Sequence, residues 1–166
     1  MKFDQFQFLM DNAFGENVGD GPPPIKYHEI PVERLHPLVL AYVGDAYFSL
    51  YVRTKMLSYE QNKVRVLHTI DSKIVSATMQ AAAYKFLEKE LTEVEVSIAK
   101  RGRNAKSTVP KSATMADYRC STGFETLLGY LYLHKDYDRL SEIAEKSFAV
   151  ITREMTNTAK DSGGKK

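Results

Sequence analysis

The chain has 166 residues and a mass of 18.8 kDa, which suits one domain with a real core and is too short for two ordinary ones. Hydrophobic residues at 43%, charged residues at 27% and a net charge of +2 are ordinary for a soluble globular protein, and no apolar run approaches a membrane span. A single cysteine, Cys120, excludes an internal disulfide and suits a reducing cytoplasm, while His28, His36, His68 and His134 lack zinc-ligand spacing.

The first 25 residues mix Phe3, Phe6, Phe8 and Leu9 with acids, then end in Gly19-Asp-Gly-Pro-Pro-Pro24. That Gly/Pro run is biased to extended geometry and reads as a linker. The expectation is an N-terminal extension over 1–25 that docks on the body, a folded domain over 26–156 and a disordered tail over 157–166.

Pro37 suits a first helical position, because that N–H has no intrahelical partner. The helix it opens runs to about Met56–Leu57 and carries Leu38, Val39, Tyr42, Val43, Ala46, Ser49, Leu50 and Val52, leaving almost no polar face. Such a helix belongs in a core or at a subunit contact. Within it stands one acid, Asp45, directly after Gly44. A short helix is predicted around Lys63–His68. The next is capped by Thr69 or Asp71 and runs to about Leu91, with Ile70, Ile74, Ala77, Ala81, Tyr84 and Leu87 at helical spacing. Thr92-Glu-Val-Glu95 has the capping-box form, and its helix is expected to stop at Gly102.

Residues 103–113 read as a loop rich in turn formers. A helix bent or interrupted at Gly123 follows over Thr114–His134, and a last one over Tyr137–Met155. No strand alternation is evident, so the fold class is all-α, a helical bundle.

The second apolar helix repeats the oddity of the first. Glu125 sits among Phe124, Leu127, Leu128, Leu131, Tyr132 and Leu133. Either acid has a structural explanation: a basic side chain or backbone N–H for Asp45, a capping box from Thr122 for Glu125. Taken together they can share one divalent cation if their helices cross, and carboxylates with several waters are what Mg²⁺ prefers. Between them in sequence, residues 100–119 carry Lys100, Arg101, Arg103, Lys106, Lys111 and Arg119 against Asp117 alone, either a polyanion footprint or a solvated loop. These features point to a metal-dependent phosphodiesterase.

Leu40-Ala-Tyr-Val-Gly-Asp-Ala46 resembles the signature helix of ribonuclease III catalytic domains, and Phe124-Glu-Thr-Leu-Leu-Gly-Tyr-Leu-Tyr132 that family's second acidic helix. Lys100-Arg-Gly-Arg-Asn-Ala-Lys-Ser107 and Tyr118-Arg-Cys-Ser-Thr122 are similar to Mini-III, the small bacterial branch without a double-stranded-RNA-binding domain. The resemblance covers about Glu33 to Ala149. It implies a homodimeric endonuclease that cuts double-stranded RNA with Mg²⁺ (Mn²⁺ as a substitute), leaving 5′-phosphate and 3′-hydroxyl ends. It also implies a precursor stem of large-subunit (23S) ribosomal RNA as substrate, with a ribosomal protein or the assembling subunit as a further partner, and no membrane. By position, Asp45 and Glu125 would be the catalytic metal ligands. The full-length enzymes carry two further acids, one turn before each; those places are Ala41 and Thr122 here, which favours one well-held ion.

In the absence of an RNA-binding domain, affinity has to come from phosphate neutralisation by the basic loop, so Lys100, Arg101, Arg103, Asn104, Lys106 and Lys111 are the expected RNA contacts. The competing reading is a catalytically silent relative that serves as an RNA-holding or ribosome-associated module. Such a protein has no reason to keep both acids.

Overall fold

A computed structural model describes residues 30–106 and 113–163 (backbone alone for 159–163), together with Asp4, Phe6, Gln7 and Met10. Two compact units divide the chain, Met1–Pro31 and Val32–Lys166. In the first, the Asp4 carboxylate accepts from the Phe6 and Gln7 N–H groups at 3.0 and 3.2 Å. The expected docking of the Phe-rich segment, the linker and the basic-loop residues 107–112 otherwise lie outside the described residues.

The described part of the second unit is built of helices joined by short turns: α1 (Pro37–Met56), α2 (Val64–Ile74), α3 (Ala77–Leu87), α4 (Glu93–Arg103), α5 (Met115–Leu133) and α6 (Tyr137–Gly163). Local chemistry explains most of the boundaries. His36 caps α1 through Nδ1, which accepts from the Leu38 N–H at 3.2 Å, with Pro37 at the first helical position. Thr92 and Glu95 complete a reciprocal capping box at the start of α4. The Thr114 hydroxyl accepts from the Asp117 N–H at the start of α5. That helix ends in a Schellman turn: the Asp136 N–H reaches Leu131 O and the Lys135 N–H reaches Tyr132 O, with Lys135 at φ 62°.

Four boundaries differ from the sequence expectation. The long helix predicted from Thr69 or Asp71 to Leu91 is two helices, because α2 begins at Val64 and the chain turns at Val75–Ser76. Ser76 is extended, and its hydroxyl donates to Lys73 O at 2.7 Å, the local competition with helix formation that serine favours. Asp71 caps nothing; its carboxylate accepts from Arg53 Nε at 3.2 Å and fastens α2 to α1. Gly102 does not end α4, which runs through it to Arg103. Its missing side chain instead admits α5, since a Cβ there would stand 2.2 Å from Thr126 Oγ1. Gly123 leaves α5 unbroken, and α6 continues past Met155 to Gly163.

The core is organised on α5, which packs against α1, α3, α4 and α6 and buries an almost continuous run from Cys120 to Leu131, with only Glu125 partly open. Phe48 of α1 meets Phe124 of α5 edge to face at 5.1 Å, and Leu40, Val52, Tyr84, Leu87, Leu140, Ile143 and Ile151 close around them. Between α4 and α6, Arg139 grips the buried Glu95 with two bonds, Nε to Oε1 at 2.8 Å and Nη2 to Oε2 at 3.0 Å. No helix among the described residues is long and apolar enough to cross a membrane.

Candidate active site

The two acids are brought together by a contact between backbones. A Cβ on Gly44 would lie 1.9 Å from the Glu125 carbonyl oxygen, and one on Gly129 would lie 1.9 Å from the Leu40 carbonyl oxygen. Only glycine at both places lets α1 and α5 cross this closely. Thr126 fixes the crossing further: its hydroxyl bonds Thr122 O at 2.6 Å and Pro37 O at 3.2 Å. Asp45 follows Gly44, so the close approach sets its carboxylate beside that of Glu125.

Their burial corrects the sequence expectation. Glu125 is partly buried as expected, but Asp45 is exposed on the single chain. The apolar character of α1 suits a core or a subunit contact for the side that carries it. That side is open: Tyr42 is 80% exposed, Leu50 62% and Val39 49%, with Ala46 also exposed. The capping-box alternative for Glu125 is removed as well, since Thr122 and Glu125 lie in the middle of α5 and the Thr122 hydroxyl donates to Tyr118 O.

Electrostatically the pair is under load. Burial, then the Asp45 charge, push the Glu125 carboxyl up to about 8, and only Gln80 opposes the shift. Asp45 is also raised, by the desolvating flank of its surroundings, with Arg53 opposing. Arg53 is occupied by Asp71, so neither acid has an ion-pair partner of its own among the described residues. Two carboxylates that resist ionising side by side are a site that gains from a cation.

A third group faces the same place. Gln80 of α3 is 1% exposed, and neither its Oε1 nor its Nε2 has a hydrogen-bond partner. It lies close enough to Glu125 to favour the charged carboxylate without completing a hydrogen bond. An unpaired buried amide costs about 1–3 kcal/mol. Asp45, Glu125 and Gln80 are all oxygen donors, the set that suits Mg²⁺. Sequence reasoning missed Gln80; its only signal is a polar residue one turn before Tyr84 on the buried face of an otherwise apolar helix. Ala41 and Thr122 are buried and add no acid, and no group of three or more His, Cys, Asp or Glu able to hold a metal occurs among the described residues.

The basic segment divides into two kinds of residue. Arg101 donates from Nη1 to Glu33 O at 2.6 Å and from Nη2 to Leu35 O at 2.7 Å, bracing the entry to α1. Arg103 pairs with Glu88 at 3.2 Å and lies over the Tyr84 ring at 5.5 Å. Lys100, Asn104 and Lys106 are exposed. They border two adjacent hollows, one of about 500 Å³ that includes Lys100 and Asn104, and one of about 150 Å³ that includes Asn104, Lys106 and Arg119. Thr122, one turn before Glu125 on α5, also lines the smaller hollow. Lys111 lies outside the described residues.

Comparison with known proteins shows the family. The family model described as "Ribonuclease III domain" matches residues 38–136, a stretch that holds Asp45, Gln80 and Glu125. The chain belongs to the ribonuclease III family. Within that family it falls in the Mini-III branch and is an endoribonuclease. It is 48% identical to a Mini-ribonuclease 3 of Thermoanaerobacter sp. over 118 residues, 70% of this chain and 83% of that one. Against a Mini-ribonuclease 3 of Thermosynechococcus vestitus the identity is 40% over 144 residues, 87% of this chain and 91% of the other. A crystal structure of a protein from Fusobacterium nucleatum superposes with a TM-score of 0.65 at 31% identity, covering 73% of this Mini-III chain and 95% of its own.

Proposed function

We propose that this endoribonuclease cuts double-stranded RNA at a Mg²⁺ site held by Asp45 and Glu125, leaving 5′-phosphate and 3′-hydroxyl ends. The observation that carries the proposal is the glycine-mediated approach of α1 to α5, which brings two carboxyls, both raised above their ordinary range, to one place on an otherwise apolar crossing. When bound, Mg²⁺ supplies Lewis-acid stabilisation of the phosphodiester and activation of water at neutral pH. The protein's part is to present the oxygen ligands: Asp45 from the open side of α1, and Glu125 from α5 once its proton has left. Mn²⁺, a similar oxygen-seeking ion, substitutes.

Lys100, Asn104 and Lys106 hold backbone phosphates beside the acids, Lys111 extends that surface, and Arg101 and Arg103 brace it from within. A-form shape rather than base sequence is what such a surface reads. The uncovered face of α1 around Val39, Tyr42, Ala46 and Leu50 joins a second copy, so that two acid pairs meet the two strands of one duplex. The stem of precursor 23S ribosomal RNA in the cytoplasm is the substrate we favour, met free or on the assembling subunit with its ribosomal proteins.

The test is incubation of a perfect RNA duplex, and of a precursor ribosomal stem, with wild type and Asp45→Asn, with and without Mg²⁺. Cleavage by wild type with Mg²⁺ alone, in both duplexes, is expected. Equal cleavage by Asp45→Asn, or cleavage in chelator, would contradict the metal site. Cleavage confined to the plain duplex would remove the ribosomal substrate.

A further inference from the structure

A primary amide brings two donors and two acceptor lone pairs, and buried amides are ordinarily paired. Gln80 is not, although it is among the most completely buried polar side chains in the described chain. Its neighbours on the covered face of α3 are Ala81, Ala83, Tyr84 and Leu87, so a leucine or methionine would fill the same volume without stranding two polar atoms. Packing of α3 on α5 delivers the amide to Glu125.

We propose that Gln80 is a positioning residue of the metal centre, its Nε2 orienting the Glu125 carboxylate and its Oε1 accepting from the hydration shell of the ion. The inference rests on the Mg²⁺ site proposed above. It explains how a centre with only two carboxylates holds its ion. Ala41 and Thr122, one turn before each acid, supply no anion, and a neutral oxygen from a third helix takes over part of the work of fixing water around the metal. Groups that orient a ligand without being the principal ligand commonly alter metal affinity about 10–100-fold.

Mg²⁺ titrations followed by melting temperature, without RNA, test this on wild type, Gln80→Leu, Gln80→Glu and Asp45→Asn. Wild type is expected to show a saturable rise. In Gln80→Leu the half-saturating Mg²⁺ concentration rises about tenfold, while the metal-free melting temperature holds or increases because a stranded amide has gone. Gln80→Glu, which keeps an oxygen of the same reach and sets a charge for the cation where the Nε2 donor stood, holds half-saturation within about threefold of the wild-type value or tightens it. In cleavage assays at saturating Mg²⁺, KM for duplex RNA is unchanged in Gln80→Leu.

A lower metal-free melting temperature in Gln80→Leu with unchanged Mg²⁺ half-saturation would make Gln80 a packing residue and overturn the inference. If Gln80→Leu does not fold, Gln80→Glu decides alone: half-saturation more than about threefold weaker than wild type overturns the inference. Loss of the Mg²⁺ response in Asp45→Asn with an unaltered response in Gln80→Leu would refute the role of Gln80 and leave the metal site standing. No Mg²⁺ response in wild type would remove both.

Discussion

Glu95 and Glu125 are both glutamates set into helix seams of the same small domain, and their surroundings treat them in opposite ways. In the α4–α6 seam, burial alone would raise Glu95, but two bonds from Arg139 and one from the Thr92 N–H outweigh it and hold the carboxyl below its ordinary range. In the α1–α5 seam, burial and the Asp45 charge act in the same direction, and Glu125 rises to about 8. The first acid has everything a carboxylate needs from its own chain. The second has no cation beside it among the described residues, the difference expected between an acid that holds the fold and one that, as proposed above, binds a metal.

Removing each charge should separate the two roles most sharply. Glu125→Gln is expected to lower cleavage of duplex RNA by about 10³-fold or more. Its metal-free stability near neutral pH should be equal to wild type or about 1 kcal/mol higher, because an amide needs no proton taken up on folding, as a carboxyl raised to about 8 does. Glu95→Gln should do the reverse, losing about 3 kcal/mol in denaturant unfolding by stranding Arg139, with cleavage retained where the protein is folded. Similar stability losses in both variants would erase the distinction.

Next in size is the glycine crossing itself. Gly44→Ala places a methyl on the Glu125 backbone, so α1 and α5 must move apart. A loss of about 3 kcal/mol or more is expected, together with reduced cleavage at temperatures where the variant remains folded. A stable, fully active Gly44→Ala enzyme would show that the close approach is not what sets the acids.

The opposite pKa shifts give opposite pH slopes. A carboxyl raised in the folded state stabilises it below the unfolded value, and that contribution is lost as pH climbs through the folded one. Metal-free stability should therefore fall between about pH 5 and 8 through Glu125, an effect that Glu125→Gln removes. A lowered carboxyl behaves the other way, so the Glu95 contribution is lost as pH drops below its ordinary range, and Glu95→Gln removes that acid sensitivity. Urea melts across pH in chelator measure both.

The smallest expected effect concerns the basic surface. Lys100→Ala with Lys106→Ala should flatten the salt dependence of RNA binding by about 0.7–0.9 per lost phosphate contact. Arg101→Ala should mainly lower the melting temperature, since its guanidinium serves two backbone carbonyls. A salt slope that responds to Arg101 and not to the lysines would invert this assignment.

Much of this was legible in the sequence where the cause is local. Pro37, the Thr92–Glu95 box and Thr114 all start helices as their chemistry dictates, and both acids lie on the helices expected of them. What was not legible depends on partners distant in sequence. Gly102 looks like a helix stop until Thr126 is seen against it, and Arg101 looks like an RNA contact until it is found on Glu33 and Leu35. The turn at Ser76 has no glycine or proline to announce it. Apolar content suggests a subunit contact for α1 but cannot reveal that Asp45 is exposed on the single chain, and periodicity gives no hint that Gln80 lies by Glu125.

The central claim is that Asp45 and Glu125 form one cation site, and a double-mutant cycle on the Mg²⁺-induced rise in melting temperature tests it most directly. The account predicts that Asp45→Asn and Glu125→Gln each remove nearly the whole rise and that the double variant loses no more, the strong coupling expected of groups that share one ligand. Additive partial losses, or a single variant that keeps the full wild-type response, would contradict it.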